Sequence, residues 1–200
     1  MSSPDSSDRP QSGKKRVKKS TVNPADKSFP NILVSGTPGT GKSTLAARLC
    51  REVPQLNHVN VGDLARDRGF LGAWDETYGC HELEEDPLLD ELEDPAARGG
   101  LVVDHHVTDF FPERFFDAVF VLRAGNEVLH ERLSARGYEG KKLEDNLQCE
   151  IFQTVLDEAR DSYREEIVHE LRSESEEELK SNVDRIKLWI QMWRKDNGKA

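Results

Sequence analysis

Residues 36–43, Gly36-Thr37-Pro38-Gly39-Thr40-Gly41-Lys42-Ser43, satisfy the pattern G-x-x-x-x-G-K-[ST] in full. An apolar run, Ile32-Leu33-Val34, precedes them. Thr44-Leu45-Ala46-Ala47-Arg48-Leu49 follows and spaces its leucines as a helix does. Strand, glycine turn and helix in that order is the context the pattern needs. Glycines let backbone N–H groups turn inward and cradle phosphate oxygens, and the helix N-terminus adds its positive dipole end. Lys42 is then placed to reach the β- and γ-phosphates and Ser43 to ligate magnesium. The chain is read as one that binds a nucleoside triphosphate.

The rest of the chain extends this βα unit. A strand is expected at 31–35, a helix at about 42–52 and a short strand at His58-Val59-Asn60-Val61. A helix then opens at Gly62-Asp63 with Asp63 as N-cap. An acidic, irregular stretch follows. Leu101-Val102-Val103-Asp104 and Ala118-Val119-Phe120-Val121-Leu122 are continuous apolar runs of the kind that form buried parallel strands. Helix is expected from about 125 to 135 and a single long helix from 143 to about 164. A last strand falls at 167–171. The final helix spaces Leu179, Val183, Ile186, Ile190 and Trp193 at helical intervals. Strands alternating with helices imply an α/β fold: a five-stranded parallel sheet flanked by helices, of the P-loop NTPase type.

Two hundred residues suit one domain with a tail. Residues 1–28 are poor in large apolar side chains and are read as a disordered basic tail; the folded part is expected at 29–200. Residues 1–30 carry seven Lys/Arg against three Asp, a net of +4, which leaves −14 of the whole-chain −10 to residues 31–200. An acidic body of that kind does not suit a broad grip on a nucleic-acid backbone, and no sequence-specific nucleic-acid contact is expected. The cluster Lys14-Lys15-Arg16-Val17-Lys18-Lys19 reads either as a nuclear localisation signal or as a solubilising tail. The apolar runs are too short to cross a bilayer, and no N-terminal segment resembles a signal peptide. Three scattered cysteines, Cys50, Cys80 and Cys149, fit a reducing compartment, cytosol or nucleus.

A GTPase would carry N-K-x-D and D-x-x-G motifs; neither occurs. Several blocks then converge. Pro30-Asn31-Ile32-Leu33-Val34-Ser35 runs into the phosphate loop, and Asn60-Val61-Gly62-Asp63-Leu64-Ala65-Arg66, Val103-Asp104-His105-His106, Asp109-Phe110-Phe111-Pro112-Glu113-Arg114, Arg136-Gly137-Tyr138 and Gln148-Cys149-Glu150-Ile151-Phe152 follow. Together these blocks resemble the adenylate kinase isoenzyme six family, atypical nuclear adenylate kinases tied to maturation of the small ribosomal subunit. The resemblance spans residues 30–195. The basic N-terminal extension lies outside the family pattern, and so does His105, where the family usually has an aromatic.

The resemblance implies a nucleoside monophosphate kinase with a short lid, transferring the γ-phosphoryl of ATP to AMP with magnesium. Gly39, Gly41, Lys42, Ser43 and Thr44 would hold the donor, and Asp104 would join Ser43 at the metal. Arg66, in a monophosphate-binding segment at about 60–83, would clamp AMP. Arg136, in a lid at about 135–145, would close over the transferring phosphate. His106 stands in an Asp-x-His that replaces the Asp-Gly-Phe-Pro-Arg run of ordinary adenylate kinases. It either orients a water for hydrolysis or is structural. His105 is expected to pack on the opposite side of the strand end.

From Asp75 to Asp94 there are ten Asp/Glu and no Lys/Arg. The run reads either as a solvated helix face or as a docking surface for a basic protein, and the resemblance implies a small-subunit ribosomal protein. It also implies a place in 18S rRNA maturation and a location in nucleus and cytoplasm. Two functions stay open at this point: a kinase that also hydrolyses ATP, or a ribosome-assembly ATPase in which AMP phosphorylation is secondary.

Overall fold

The computed structural model describes residues 27–199. Its strands are β1 (Ile32–Gly36), β2 (Asn57–Asn60), β3 (Leu71–Asp75), β4 (Cys80–Leu83), β5 (Leu101–Asp104), β6 (Ala118–Arg123) and β7 (Val168–Arg172). Its helices are α1 (Lys42–Glu52), α2 (Val61–Arg68), α3 (Glu85–Arg98), α4 (Asn126–Ala135), α5 (Gly140–Ile151), α6 (Thr154–Ser162) and α7 (Glu176–Asp196). Five strands form a parallel sheet in the order β2-β5-β1-β6-β7, and β3 and β4 form a separate antiparallel hairpin.

Both faces of the sheet are covered, which is why Ile32-Leu33-Val34 of β1 and Leu101-Val102-Val103 of β5 are continuous apolar runs. Successive strand residues point to opposite faces. Leu33, Val103, Val119 and Val121 pack with Leu88 and Leu92 of α3 and Leu156 of α6. Ile32, Val34, Val102 and Leu122 pack with Leu45 and Leu49 of α1 and Ile186 and Ile190 of α7. At the rim of this core the side chain of Asn31, wholly buried, donates to the carbonyls of Ala96 and Phe115 and accepts from the Leu101 amide.

Four expectations need correction. The single long helix over 143–164 is two helices. The chain breaks after α5 at Phe152-Gln153, where Gln153 takes a left-handed conformation (φ 58°), and Ile151, which shares helical spacing with Leu143 and Leu147, stands exposed, as does Phe152. The acidic stretch is not irregular: it forms the β3–β4 hairpin and α3. The cap of α2 is Asn60, whose side-chain oxygen accepts from the Asp63 amide, so the helix starts two residues before the expected capping Asp63. The folded body starts before Phe29, because Lys27 is buried and its Nζ lies 3.3 Å from Asp117. The basic cluster Lys14–Lys19 lies outside the described residues. No helix among the described residues is long and apolar enough to cross a membrane.

Candidate functional site

The phosphate loop leaves β1 at Gly36 and enters α1 at Lys42. Gly36 has φ 138°, and a Cβ there would run into the Leu122 carbonyl oxygen on the neighbouring strand; only glycine lets β1 turn so close to β6. Gly39 (φ 93°) lies against Leu129 and Leu133 of α4. Thr40 closes the turn, its Oγ1 donating to the Thr37 carbonyl at 2.8 Å. Lys42 Nζ donates back to the carbonyls of Gly36 (2.8 Å) and Thr37 (3.2 Å). Burial on the floor of the cleft, together with Arg136, lowers the Lys42 pKa to about 8, against the opposing pull of Asp104 and Glu150.

Beside the loop, β5 ends at Asp104, 2 % exposed. Asn60 at the end of β2 donates to Asp104 Oδ2 at 2.8 Å and reaches Ser43 Oγ at 3.4 Å. His58 Nε2 stands 3.5 Å from the same carboxylate oxygen. Burial opposes ionisation of Asp104, but the neighbouring His58, Ser43 and Asn60 side chains and the Lys42 charge outweigh it and hold the carboxyl below its ordinary value. A buried, ionised carboxylate next to a serine hydroxyl is a hard oxygen pair, and the donor set fits magnesium.

A cleft of about 580 Å³ opens over these groups. Gly39, Gly41, Lys42, Ser43, Thr44 and Asp104 line it. Arg136 enters from the turn between α4 and α5. His106 lies open to the cleft, crowded by protein on its other side; that crowding and Lys42 push it down to about 4, so its imidazole is neutral at pH 7. His105 packs as expected but is not turned away from the cleft. It packs edge-on against Phe110 and Phe111, and it also lines the cleft with its ring 4.5 Å from that of His106. Arg66 is not brought into this lining: its side chain is 67 % exposed and its Nη1 bonds Asp63 Oδ1 at 2.9 Å.

The sequence reading missed several wall residues. Tyr78, at the tip of the β3–β4 hairpin, reaches across to α5, its hydroxyl donating to Asp145 at 3.0 Å and its carbonyl accepting from Lys142 at 2.6 Å. Tyr138 lies under Lys142, 4.6 Å from ring centroid to Nζ. A second cavity of about 410 Å³ shares Gly39, Gly41, Thr44 and Arg136 with the cleft and is walled further by Arg132 and by Ser173 to Glu176. Arg132 fixes that wall by donating to the carbonyls of Ser173 (2.8 Å) and Glu174 (2.9 Å).

A phosphate loop after the central strand, an acidic residue ending the neighbouring strand, and a short helical lid define a P-loop phosphotransferase of the nucleoside monophosphate kinase type. Solved structures agree on the fold. Shikimate kinase from Acinetobacter baumannii superposes with a TM-score of 0.58 at 19% identity, over 84% of this chain and 96% of that one. Shikimate kinase from Bacteroides thetaiotaomicron gives 0.52 at 19% identity, over 82% and 99%. A family described as "AAA domain" matches residues 32–153. The chain is similar to the adenylate kinase isoenzyme 6 homolog of Drosophila melanogaster, 45% identical over 83% of this chain and 94% of that protein. It is 48% identical to the homolog of Caenorhabditis elegans, over 82% and 90%. The chain belongs to the adenylate kinase isoenzyme 6 family and is a nucleotide kinase.

Proposed function

We propose that the protein transfers the γ-phosphoryl of ATP to AMP. The observation that carries this is that the phosphate loop borders two cavities, both lined by Gly39, Gly41 and Thr44. The smaller, between the α4 end and residues 173–176, is the seat for the base of the donor. The larger holds the transferring phosphate and the acceptor. Lys42, held by the Gly36 and Thr37 carbonyls, turns its remaining N–H toward the donor phosphates, and Arg136 approaches them from the lid side. Both neutralise charge that builds up in the transition state. Ser43 and Asp104 hold magnesium, which when bound shields the donor phosphates.

Arg66 is assigned to AMP by family resemblance, and its role requires it to leave Asp63. The test is Arg66→Ala, which raises the KM for AMP and leaves ATP binding intact; a fall in ATP affinity instead removes Arg66 from the acceptor side. The whole reading is tested by a coupled assay of ADP formation with AMP, with other nucleoside monophosphates and with water alone. ADP formation that AMP does not stimulate rejects the acceptor.

A second role is favoured by one surface. Among the described residues, Glu82, Glu84, Glu85, Asp86 and Asp90 are exposed and in no ion pair, whereas Glu91 and Glu93 pair with Arg68 and Arg114. Such a face suits a basic protein, and the family resemblance makes that partner a small-subunit ribosomal protein. In this reading ATP hydrolysis serves small-subunit maturation in nucleus and cytoplasm.

A further inference from the structure

Glu150 places a carboxylate where the sheet and its helices need no charge. It sits on the last turn of α5 and is 3 % exposed. Oε2 accepts from the Thr37 hydroxyl at 2.5 Å. Oε1 accepts from Arg123 Nε at 2.5 Å and from the Ala124 amide at 3.1 Å. Arg123 also donates to the Glu150 carbonyl at 2.9 Å. A buried ion pair seldom adds net stability over apolar residues of the same volume. The pair's use lies in what it holds.

Thr37 is the pivot. It is fully buried. Its carbonyl accepts from the Thr40 hydroxyl at 2.8 Å and from Lys42 Nζ at 3.2 Å. One residue of the phosphate loop therefore carries the anchor of the reactive lysine on its main chain and the bond to Glu150 on its side chain. The helix that supplies Glu150 also forms the outer wall of the cleft, through Lys142, Asp145 and Asn146. Glu150 itself does not line the cleft.

We propose that Glu150 is a positioning residue for phosphoryl transfer: through the Thr37 hydroxyl it fixes the phosphate loop, and Lys42 with it, relative to the α5 wall. The proposal rests on the kinase reading. Its chemistry is that of alignment. A reacting group displaced by about 1 Å costs up to about 100-fold in rate while ligand affinity changes far less.

The test compares wild type with Thr37→Val, Thr37→Ser, Glu150→Gln and the Thr37→Val/Glu150→Gln double variant. The readouts are steady-state ADP formation, binding of a fluorescent ATP analogue, and a thermal melt that confirms each protein is folded at the assay temperature. Thr37→Val keeps the side-chain shape and leaves Arg123 on Glu150. It is expected to lower kcat by about 10- to 100-fold, with the KM for AMP and the affinity for the analogue nearly unchanged. Thr37→Ser, which keeps the hydroxyl, recovers most of that loss. The double variant loses no more than the worse single one, because both changes act at one contact. A Thr37→Val protein that melts lower but turns over like wild type overturns the proposal, as do losses that multiply in the double variant. If wild type makes no ADP from ATP and AMP, the kinase reading fails separately. The same variants are then read in ATP hydrolysis, which needs the same loop; loss there keeps the positioning role, and unchanged hydrolysis removes it.

Discussion

At the scale of single residues, the cleft concentrates charge around Lys42, the group on which transfer depends most. Its ammonium rests on two loop carbonyls and faces Asp104 and Arg136. Lys42→Ala removes the cation that the loop itself carries. Losses of about 10²- to 10³-fold in turnover are expected, as for other single preorganised contacts. Transfer and hydrolysis fall together, and near-normal ADP formation by a folded Lys42→Ala protein would sink the phosphate-loop assignment. His106 is a different case. It is neutral at pH 7 and open to the cleft two residues beyond Asp104, so its ring can accept a proton or hydrogen bond from a water held there. His106→Gly is expected to lower ATP hydrolysis in the absence of AMP more than transfer to AMP. Rates measured side by side in one preparation decide this; equal losses assign His106 to the structure of the strand end.

At the scale of elements, the break between α5 and α6 sets where Glu150 ends up. The α5 helix stops because Gln153 turns left-handed, and its amide caps back to the Glu150 carbonyl at 3.1 Å. A side chain in that conformation is strained by roughly 1–2 kcal/mol. Gln153→Gly is therefore expected to stabilise the fold by about 0.5–1 kcal/mol and raise the melting temperature by roughly 1–4 °C. A lower melting temperature would mean that the glutamine side chain makes a contact worth more than the strain. The break also shows what the sequence could and could not disclose. The phosphate loop and the buried strands were legible because each is a local pattern: eight residues in a row, or an apolar run covered on both faces. The α5–α6 break was not, since neither glycine nor proline marks it and Leu147, Ile151 and Val155 keep helical spacing across it. The β3–β4 hairpin was hidden because its strands are largely exposed and carry no apolar alternation. The second cavity joins residues 39–44, 132–136 and 173–176, which only the sheet order brings together. Arg66, given to AMP by resemblance, lies outside the cleft lining and rests on Asp63, a placement that its position in the sequence did not disclose.

At the scale of the whole molecule, charge is divided between a basic N-terminal segment and an acidic body. Several of the body's arginines are paired with its own carboxylates: Arg68 holds Glu91, Arg114 holds Glu93 and Arg123 holds Glu150. The carboxylates at the β4–α3 junction are left to solvent. A basic partner would meet them across water, so its attraction is long-ranged and screened. Binding of a purified basic small-subunit ribosomal protein is expected to weaken steeply as the Debye length falls from ~10 Å at 0.1 M salt to ~3 Å at 1 M. Glu84→Lys with Glu85→Lys should weaken it further at low salt, because both side chains are exposed and neither change touches the core. Removing residues 1–26 deletes six Lys/Arg and three Asp while sparing the Lys27–Asp117 pair. That truncation should leave ADP formation unchanged and binding of the basic protein equal or stronger. A titration across the salt series with full-length, truncated and charge-reversed proteins decides the matter. Binding that ignores both salt and the reversal at residues 84 and 85 rejects this face as the docking surface and leaves the kinase site as it stands.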